Sequence, residues 1–216
     1  MSSGRYAGQY PDDDPAPTPL ERPVLDLHPA TREVARLLDG VSDDHLSNPT
    51  PCDYDVATLL EHLSGLTLAF TWAAEKSAAE RGGSQPPEPS GDALDHGWRT
   101  VLPGRLEALA AAWTDPAAWE GMTEAGGVIL PGEVAGLVAL DEVVLHGWDL
   151  AKATGQDFSC DPASAEAVMA FAASSAAPDQ AASREGLFGP PVPVPEDAPT
   201  FDRALGFAGR DPGWTA

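Results

Sequence analysis

The sequence has few cysteines and few basic residues, and each shortage excludes a class of protein. Its two cysteines, Cys52 and Cys160, are too few for a disulfide scaffold and lack the CxxC spacing. We therefore expect reduced thiols and a cytoplasmic protein. Lys and Arg total 12 against 34 Asp and Glu, and the formal net charge of the 216-residue chain is −22. This balance excludes a nucleic-acid-binding face, which needs clustered cations, and it opposes binding to anionic membranes.

Long apolar runs are also missing, since no stretch approaches the roughly 18 residues of a membrane span. Residues 1–22 are rich in Pro, Asp, Gly and Ser and lack the apolar segment of a secretory signal, so we expect a disordered N-terminal tail. With 43% hydrophobic residues the remaining chain can bury a core. We expect a helical bundle over residues 23–158, with a C-terminal helix and an extended arm over 159–216 packed on it.

Four long segments show the apolar spacing of helices. The first starts at Pro29, and the second is predicted from Asp53 to Arg81. The third should kink or break near residues 100–102 because Pro103 follows. The fourth is opened by Pro131 and closed by Gly155.

The regions between and after these helices are shorter or irregular. The glycine-rich stretch 121–132 is either a loop or a small strand. A shorter helix over 162–177, a proline-rich arm from Leu187 and a last turn or two over 200–207 follow. The fold class is therefore all-α: a four-helix bundle with an extra C-terminal helix and a proline-rich C-terminal arm.

The fourth helix is apolar on nearly every side, but Glu142, His146 and Asp149 form a polar stripe spaced i, i+4, i+7. Such a helix is usually buried, and burying a carboxylate costs several kcal/mol unless it is paired or binds a metal. Two interpretations remain at this point: a metal site, or a hydrogen-bonded pair of Glu142 with His146. Asp149 either accepts a hydrogen bond from a ligating imidazole or caps a neighbouring helix.

His62 favours the metal site, because it lies in the middle of the second helix, which should run beside the fourth. Metal sites in bundles are commonly built from facing helices. Two histidines and one glutamate leave coordination positions open, as in catalytic zinc sites. Cys52 precedes His62 by ten residues, or roughly 15 Å along a helix. We interpret Cys52 as a small buried residue at the entry to the helix rather than as a ligand.

Three segments carry a family resemblance: "TPCDYDVATLLEHLSG" (50–65), "LDEVVLHGWDLAKATG" (140–155) and "LFGPPVPVPEDAPTFDRALGFAGRDPGW" (187–214). Together they resemble actinobacterial DinB/YfiT-like metal-binding proteins, close to the mycothiol-dependent maleylpyruvate isomerase family. The resemblance implies a DinB-like four-helix bundle with a divalent metal, usually zinc, bound by His62, Glu142 and His146. Tyr54 stands where the family usually has Trp.

The resemblance also implies a function, namely a metal-dependent thiol (mycothiol) S-transferase or isomerase acting on a small molecule. The expected partners are that substrate and a low-molecular-weight thiol, and the expected state is a monomer or homodimer. Zn²⁺ is the leading metal, and Ni²⁺, Fe²⁺ and Mn²⁺ suit similar ligands. Arg184 and Trp148 are predicted contacts of the cosubstrate. The alternatives are a metal-dependent hydrolase and a non-catalytic protein that binds metal or a small molecule.

Overall fold

The computed structural model describes residues 25–81, 88–176, 184 and 187–216, and the predicted N-terminal tail lies outside this range. Four long helices are present: α1 (His28–Leu38), α2 (Val56–Ala74), α3 (Trp98–Ala112) and α4 (Gly132–Thr154). Both α1 and α2 pack against both α3 and α4, so the four helices close into a bundle. The predicted helical fold class is confirmed.

The start of α2 is set by a turn that holds the preceding residues away from the helix. The backbone and the hydroxyl of Thr50 both donate to the carbonyl of Tyr54, at 2.9 and 2.8 Å, and Asp53 has a left-handed φ of 66°. Asp55 then caps the helix by accepting from the backbone N–H of Thr58 at 2.8 Å. The predicted bounds of this helix were therefore wrong, because α2 begins at Val56 and ends at Ala74, before a short 3-10 turn (Ala78–Arg81).

Of the predicted kink or break near residues 100–102, the break is wrong, because α3 is continuous through Pro103. The helix begins only at Trp98, so Pro103 lies in its second turn and removes one backbone hydrogen bond there. Buried leucines beyond the proline, Leu106 and Leu109, hold the helix against the core.

The glycine-rich stretch forms a hairpin of two antiparallel strands, β1 (Met122–Ala125) and β2 (Val128–Pro131). The two turn residues, Gly126 and Gly127, have φ of 57° and 82°, which a two-residue hairpin turn requires and glycine adopts without strain. β1 packs against α2 and leads through β2 directly into α4.

Two further helices lie on the bundle, α5 (Pro162–Ser175) and α6 (Thr200–Phe207), and α5 contacts both α4 and α6. The arm from Leu187 to Pro199 contains no helix or strand, and it pairs with α6 where the N–H of Val192 donates to the carbonyl of Gly206 at 2.8 Å. After α6 the chain crosses the arm at Gly209, where φ is 85° and a Cβ atom would lie 2.8 Å from the backbone of Gly189.

Among the described residues, no helix combines the length and the apolar character needed to cross a membrane.

Candidate metal centre

The polar stripe of α4 lies inside the protein. α1, α2 and α5 all pack against α4, so most of its residues are buried on every side. His146 and Asp149 are buried, while Glu142 is half-buried. The charged residues that the sequence spaces one turn apart are therefore removed from bulk water and must be compensated by neighbouring groups.

The packing of α2 on α4 brings His62 to the same point as Glu142 and His146. The Oε2 atom of Glu142 lies 3.0 Å from Nε2 of His146 and 3.4 Å from Nε2 of His62. The two imidazole rings are nearly perpendicular, with centroids 4.9 Å apart. One nitrogen or oxygen atom from each of the three residues lies within 4.8 Å of the others.

This donor set fits a divalent cation. Zinc binds imidazole nitrogen and carboxylate oxygen at about 2.0–2.2 Å, which places tetrahedral ligand atoms about 3.3–3.6 Å from one another. The separations of 3.0 and 3.4 Å are close to that spacing. Three protein ligands also leave room for a fourth, as in catalytic sites. That these three residues bind one ion stays a prediction, and the geometry is suitable for it.

A second row of contacts orients His146. Its Nδ1 atom lies 3.0 Å from Oδ2 of Asp149, so this nitrogen donates to the carboxylate and Nε2 is left facing Glu142. Arg210, from the segment after α6, donates to the same oxygen through Nη2 at 3.1 Å, and its Nη1 donates to the carbonyl of Ala208 at 3.1 Å. Asp149 is thus buried between two cationic or donor groups, as a ligand-orienting carboxylate would be.

These contacts shift the pKa values of the buried groups. Burial alone would raise the pKa of Glu142, but hydrogen bonds from His146 and His62 bring it well below its ordinary value. Burial likewise opposes charge on His146, yet the hydrogen bond to Asp149 raises the pKa of the imidazole well above its usual range. For Asp149, burial is outweighed by the charge of Arg210, which lowers the pKa of the carboxyl.

Asp141, the residue before Glu142, is less well compensated. It is 3% exposed, and its Oδ1 atom has no hydrogen-bond partner among the described residues, although the charges of Arg210 and His146 act on it from a distance. Burial therefore raises the pKa of Asp141 well above that of an ordinary carboxyl. Asp141 and Asp149, two buried aspartates on one helix, therefore have pKa values shifted in opposite directions.

A cavity of about 220 Å³ opens beside these groups. Its walls come from the turn before α2, from α2 and α4, from the start of the arm and from the segment after α6. The lining residues are Pro51, Cys52, Asp53, Tyr54, His62, Asp141, Glu142, Leu145, His146, Leu187, Gly189, Ala208, Gly209 and Arg210.

The structure places Cys52 half-buried in the turn at 50–54, at the entry to α2 as the sequence predicts. The sequence did not indicate that this turn, with its left-handed Asp53, also brings Cys52 to the cavity wall. The Cys52 sulfur lies within 4.8 Å of donor atoms of His146 and Asp149. Arg210 was not anticipated, because nothing in the local pattern around it marks a site residue. The buried acid Asp149 alone indicated that some cation had to come from elsewhere in the chain.

The two residues predicted to contact the cosubstrate, Arg184 and Trp148, do not line the cavity. The guanidinium of Arg184 donates to the carbonyls of Gly189 and Phe207, the latter at 2.6 Å. It therefore links the arm to the end of α6. Trp148 is buried on α4 with the ammonium of Lys152 5.5 Å from its ring centroid. Neither residue is part of the cavity lining described above. By contrast, Tyr54 lines the cavity with its ring centroid 5.8 Å from that of His62.

Comparison with known proteins identifies the family of this chain. Residues 27–151 match the family described as the mycothiol maleylpyruvate isomerase N-terminal domain. Two proteins of Mycobacterium tuberculosis, both named as uncharacterized, are similar over nearly the whole chain: Rv0738 of strain H37Rv and MT0763 of strain CDC 1551. Each is 30% identical over 194 residues, covering 87% of this chain and 97% of the relative. No solved structure matches significantly.

The matched segment spans α1 to nearly the end of α4 and therefore includes His62, Glu142 and His146. Arg210 and the arm, which complete the cavity, lie beyond it. The chain thus belongs to the mycothiol maleylpyruvate isomerase N-terminal domain family.

Proposed function

We propose that this protein is a divalent-metal-dependent enzyme that uses a low-molecular-weight thiol, mycothiol, for S-transfer to a small molecule or for its isomerisation. One observation carries the proposal: two imidazoles and one carboxylate converge within 4.8 Å at the wall of an open cavity. The family description, which names a mycothiol-dependent isomerase, supports the choice of thiol.

The metal would be held by His62, Glu142 and His146. Imidazole and carboxylate suit zinc, and they also suit nickel, iron and manganese. When bound, a divalent metal acts as a Lewis acid that lowers the pKa of a thiol it contacts.

The remaining chemistry belongs to the chain itself. Asp149 accepts from Nδ1 of His146 and so fixes the ring with Nε2 facing Glu142, where this nitrogen would bind the metal in place of its proton. Arg210 keeps Asp149 ionised through a hydrogen bond and its charge. Leu187 and Gly189, at the start of the arm, form part of the cavity wall, where a bound small molecule would contact them.

The first experiment measures metal content. Elemental analysis of the purified protein should give one divalent ion per chain, and His146→Ala should lose it, because a three-ligand site does not survive the loss of one ligand. His96→Ala is the matched control, since His96 is exposed and is outside the cavity lining. Full occupancy in His146→Ala, or no binding by the wild type on titration with zinc, would contradict the proposal.

The second experiment separates the thiol-dependent reaction from hydrolysis. The zinc-loaded protein is supplied with a small electrophile, 1-chloro-2,4-dinitrobenzene, with and without mycothiol. Turnover that requires mycothiol and disappears in His146→Ala is the expected result. Turnover without any thiol would favour a hydrolase, although Glu61, the neighbour of His62, is not among the residues lining the cavity. Stoichiometric metal without turnover would favour a binding protein.

A further inference from the structure

The cavity contains a thiol of its own. The turn before α2 places the Sγ atom of Cys52 3.2 Å from the hydroxyl of Thr50 and within 4.8 Å of donor atoms of His146 and Asp149. Cys52 is half-buried and forms part of the cavity lining. A small molecule that enters the cavity therefore meets this sulfur as well as the candidate metal ligands.

The cavity lining also includes an acceptor that no described residue satisfies. Asp141 is 97% buried, given its 3% exposure, and lines the cavity, yet its Oδ1 atom has no hydrogen-bond partner in the part of the chain that the structure describes. A buried polar atom without a partner costs about 1–3 kcal/mol. This cost is recovered when a ligand brings a hydroxyl or amide donor to Oδ1, so Asp141 points to a polar ligand.

We propose that the cavity binds the disulfide form of a small thiol that carries hydroxyl or amide donors, and that Cys52 exchanges with it to form a mixed disulfide. In this step the Cys52 sulfur forms a bond to one sulfur of the small disulfide, whose own S–S bond breaks. The other half departs as a free thiol and takes the proton that Cys52 gives up. The small disulfide is the oxidant, and Cys52 is the group oxidised.

The chain supplies an internal control in Cys160. Its Sγ contacts the carbonyl of Asp161 at 3.6 Å, it is not part of the cavity lining, and burial raises the pKa of its thiol to about 12. Cys160 should therefore exchange slowly with any disulfide. Both cysteines are free, so they can be compared in one sample.

The test treats the purified full-length protein with bis(2-hydroxyethyl) disulfide, a small neutral disulfide with two hydroxyl donors, and maps the adduct by peptide mass spectrometry. We expect a single adduct, on Cys52, formed at least about tenfold faster than any adduct on Cys160. Cys52→Ser should give none. Equal rates at the two cysteines, or no adduct on Cys52, would overturn the proposal.

A second variant tests the part played by Asp141. The rate of adduct formation on Cys52 is measured with bis(2-hydroxyethyl) disulfide and with diethyl disulfide, which has no hydroxyl. Each rate is divided by the rate at which the same disulfide reacts with the free amino acid cysteine. The wild type should prefer the hydroxylated disulfide, and Asp141→Leu should lose about tenfold of that preference, which corresponds to one hydrogen bond of about 1.4 kcal/mol. Circular dichroism checks that this variant is folded, and an unchanged preference in the folded variant would exclude Asp141 as the recognition group.

The proposal shares the cavity and the class of ligand with the proposed function, but its readout is independent. The readout is a covalent adduct on Cys52, whereas the proposed function is tested by metal content and thiol-dependent turnover. Failure of either one is therefore visible without the other.

Discussion

The two ends of the α2–α4 pair differ in the partners of their buried polar side chains. Near His62, buried side chains pair with other side chains, as His146 does with Asp149 and Asp149 with Arg210. Near the hairpin, polar side chains instead bond to backbone carbonyls. Thr123 donates to Ala73 at 2.5 Å, and Lys76 donates to Ala118 at 2.8 Å.

The difference decides what each end can tolerate. At the hairpin end, loss of a side chain leaves a carbonyl that other N–H groups still reach, since the N–H of Lys76 also donates to Ala73. At the site end, loss of one charged partner leaves another charge buried without compensation. Loss of a side chain should therefore cost more stability at the site end of this helix pair than at the hairpin end. Substitutions at the two ends can measure this difference in the free energy of unfolding.

The largest effect is expected for Asp149→Ala. This change leaves Arg210 buried beside an unpaired imidazole, and breaking a buried pair costs about 3–5 kcal/mol of the free energy of unfolding. Urea denaturation of the metal-free protein measures it. Glu107→Ala, at an exposed position on α3, is the control and should change stability by less than about 0.5 kcal/mol. If Asp149→Ala lowers the free energy of unfolding no more than Glu107→Ala does, the site end does not depend on its buried charge pairs.

Asp141→Leu should have the opposite sign. Asp141 is a buried carboxyl whose Oδ1 atom has no partner among the residues described, so removing it should raise the free energy of unfolding of the ligand-free, metal-free protein by about 1–2 kcal/mol. The folded-state pKa of Asp141 is raised, so the wild type loses stability as the pH rises from about 3.8, the ordinary carboxyl value, through that raised pKa.

The gain from Asp141→Leu should therefore be small at pH 4 and larger at pH 7. Denaturation curves of both proteins at the two pH values test this dependence. A destabilised variant, or a gain that shrinks as the pH rises, would show that Asp141 is compensated in the folded protein.

Thr123→Val should cost about 1 kcal/mol, the net value of one hydrogen bond, because the carbonyl of Ala73 keeps a backbone donor. The substitution preserves the shape of the side chain and its strand preference. A loss of 3 kcal/mol or more in the same urea assay would place the hairpin end in the same class as the site end.

The smallest effect is expected for Ile129→Thr. Ile129 lies in β2 and is 70% exposed, so the change removes little buried apolar area and keeps a β-branched residue. Thermal denaturation should shift by no more than the equivalent of about 0.5 kcal/mol. A larger loss would mean that this surface is covered in solution.

Much of this molecule could be predicted from the sequence because helical spacing is a local property. The three polar residues of α4 follow one period, and the mid-helix position of His62 was enough to suggest that it faces α4. The bounds of α2 and the continuity of α3 were predicted less accurately. The first depends on a turn with Asp53 in a left-handed conformation, and the second on where the helix begins relative to Pro103.

Cys52 and Arg210 were not predicted as cavity residues for a different reason. Cys52 reaches the cavity through that same turn, and Arg210 reaches Asp149 from 61 positions away in the sequence. Neither position shows a periodic pattern, because each is set by how a loop or terminal segment packs on the finished bundle. Local spacing indicates which helix carries a site, but it does not indicate which distant segment completes it.

The crossing of Gly209 over the arm at Gly189 ties two walls of the cavity together. A Cβ atom at position 209 would lie 2.8 Å from the backbone of Gly189, so the two segments meet this closely only because no side chain stands between them. Both glycines line the cavity, and the next residue, Arg210, pairs with Asp149. A side chain at position 209 would therefore displace the arm or the arginine. One absent methyl group thus fixes the spacing between the arm and the guanidinium that balances Asp149.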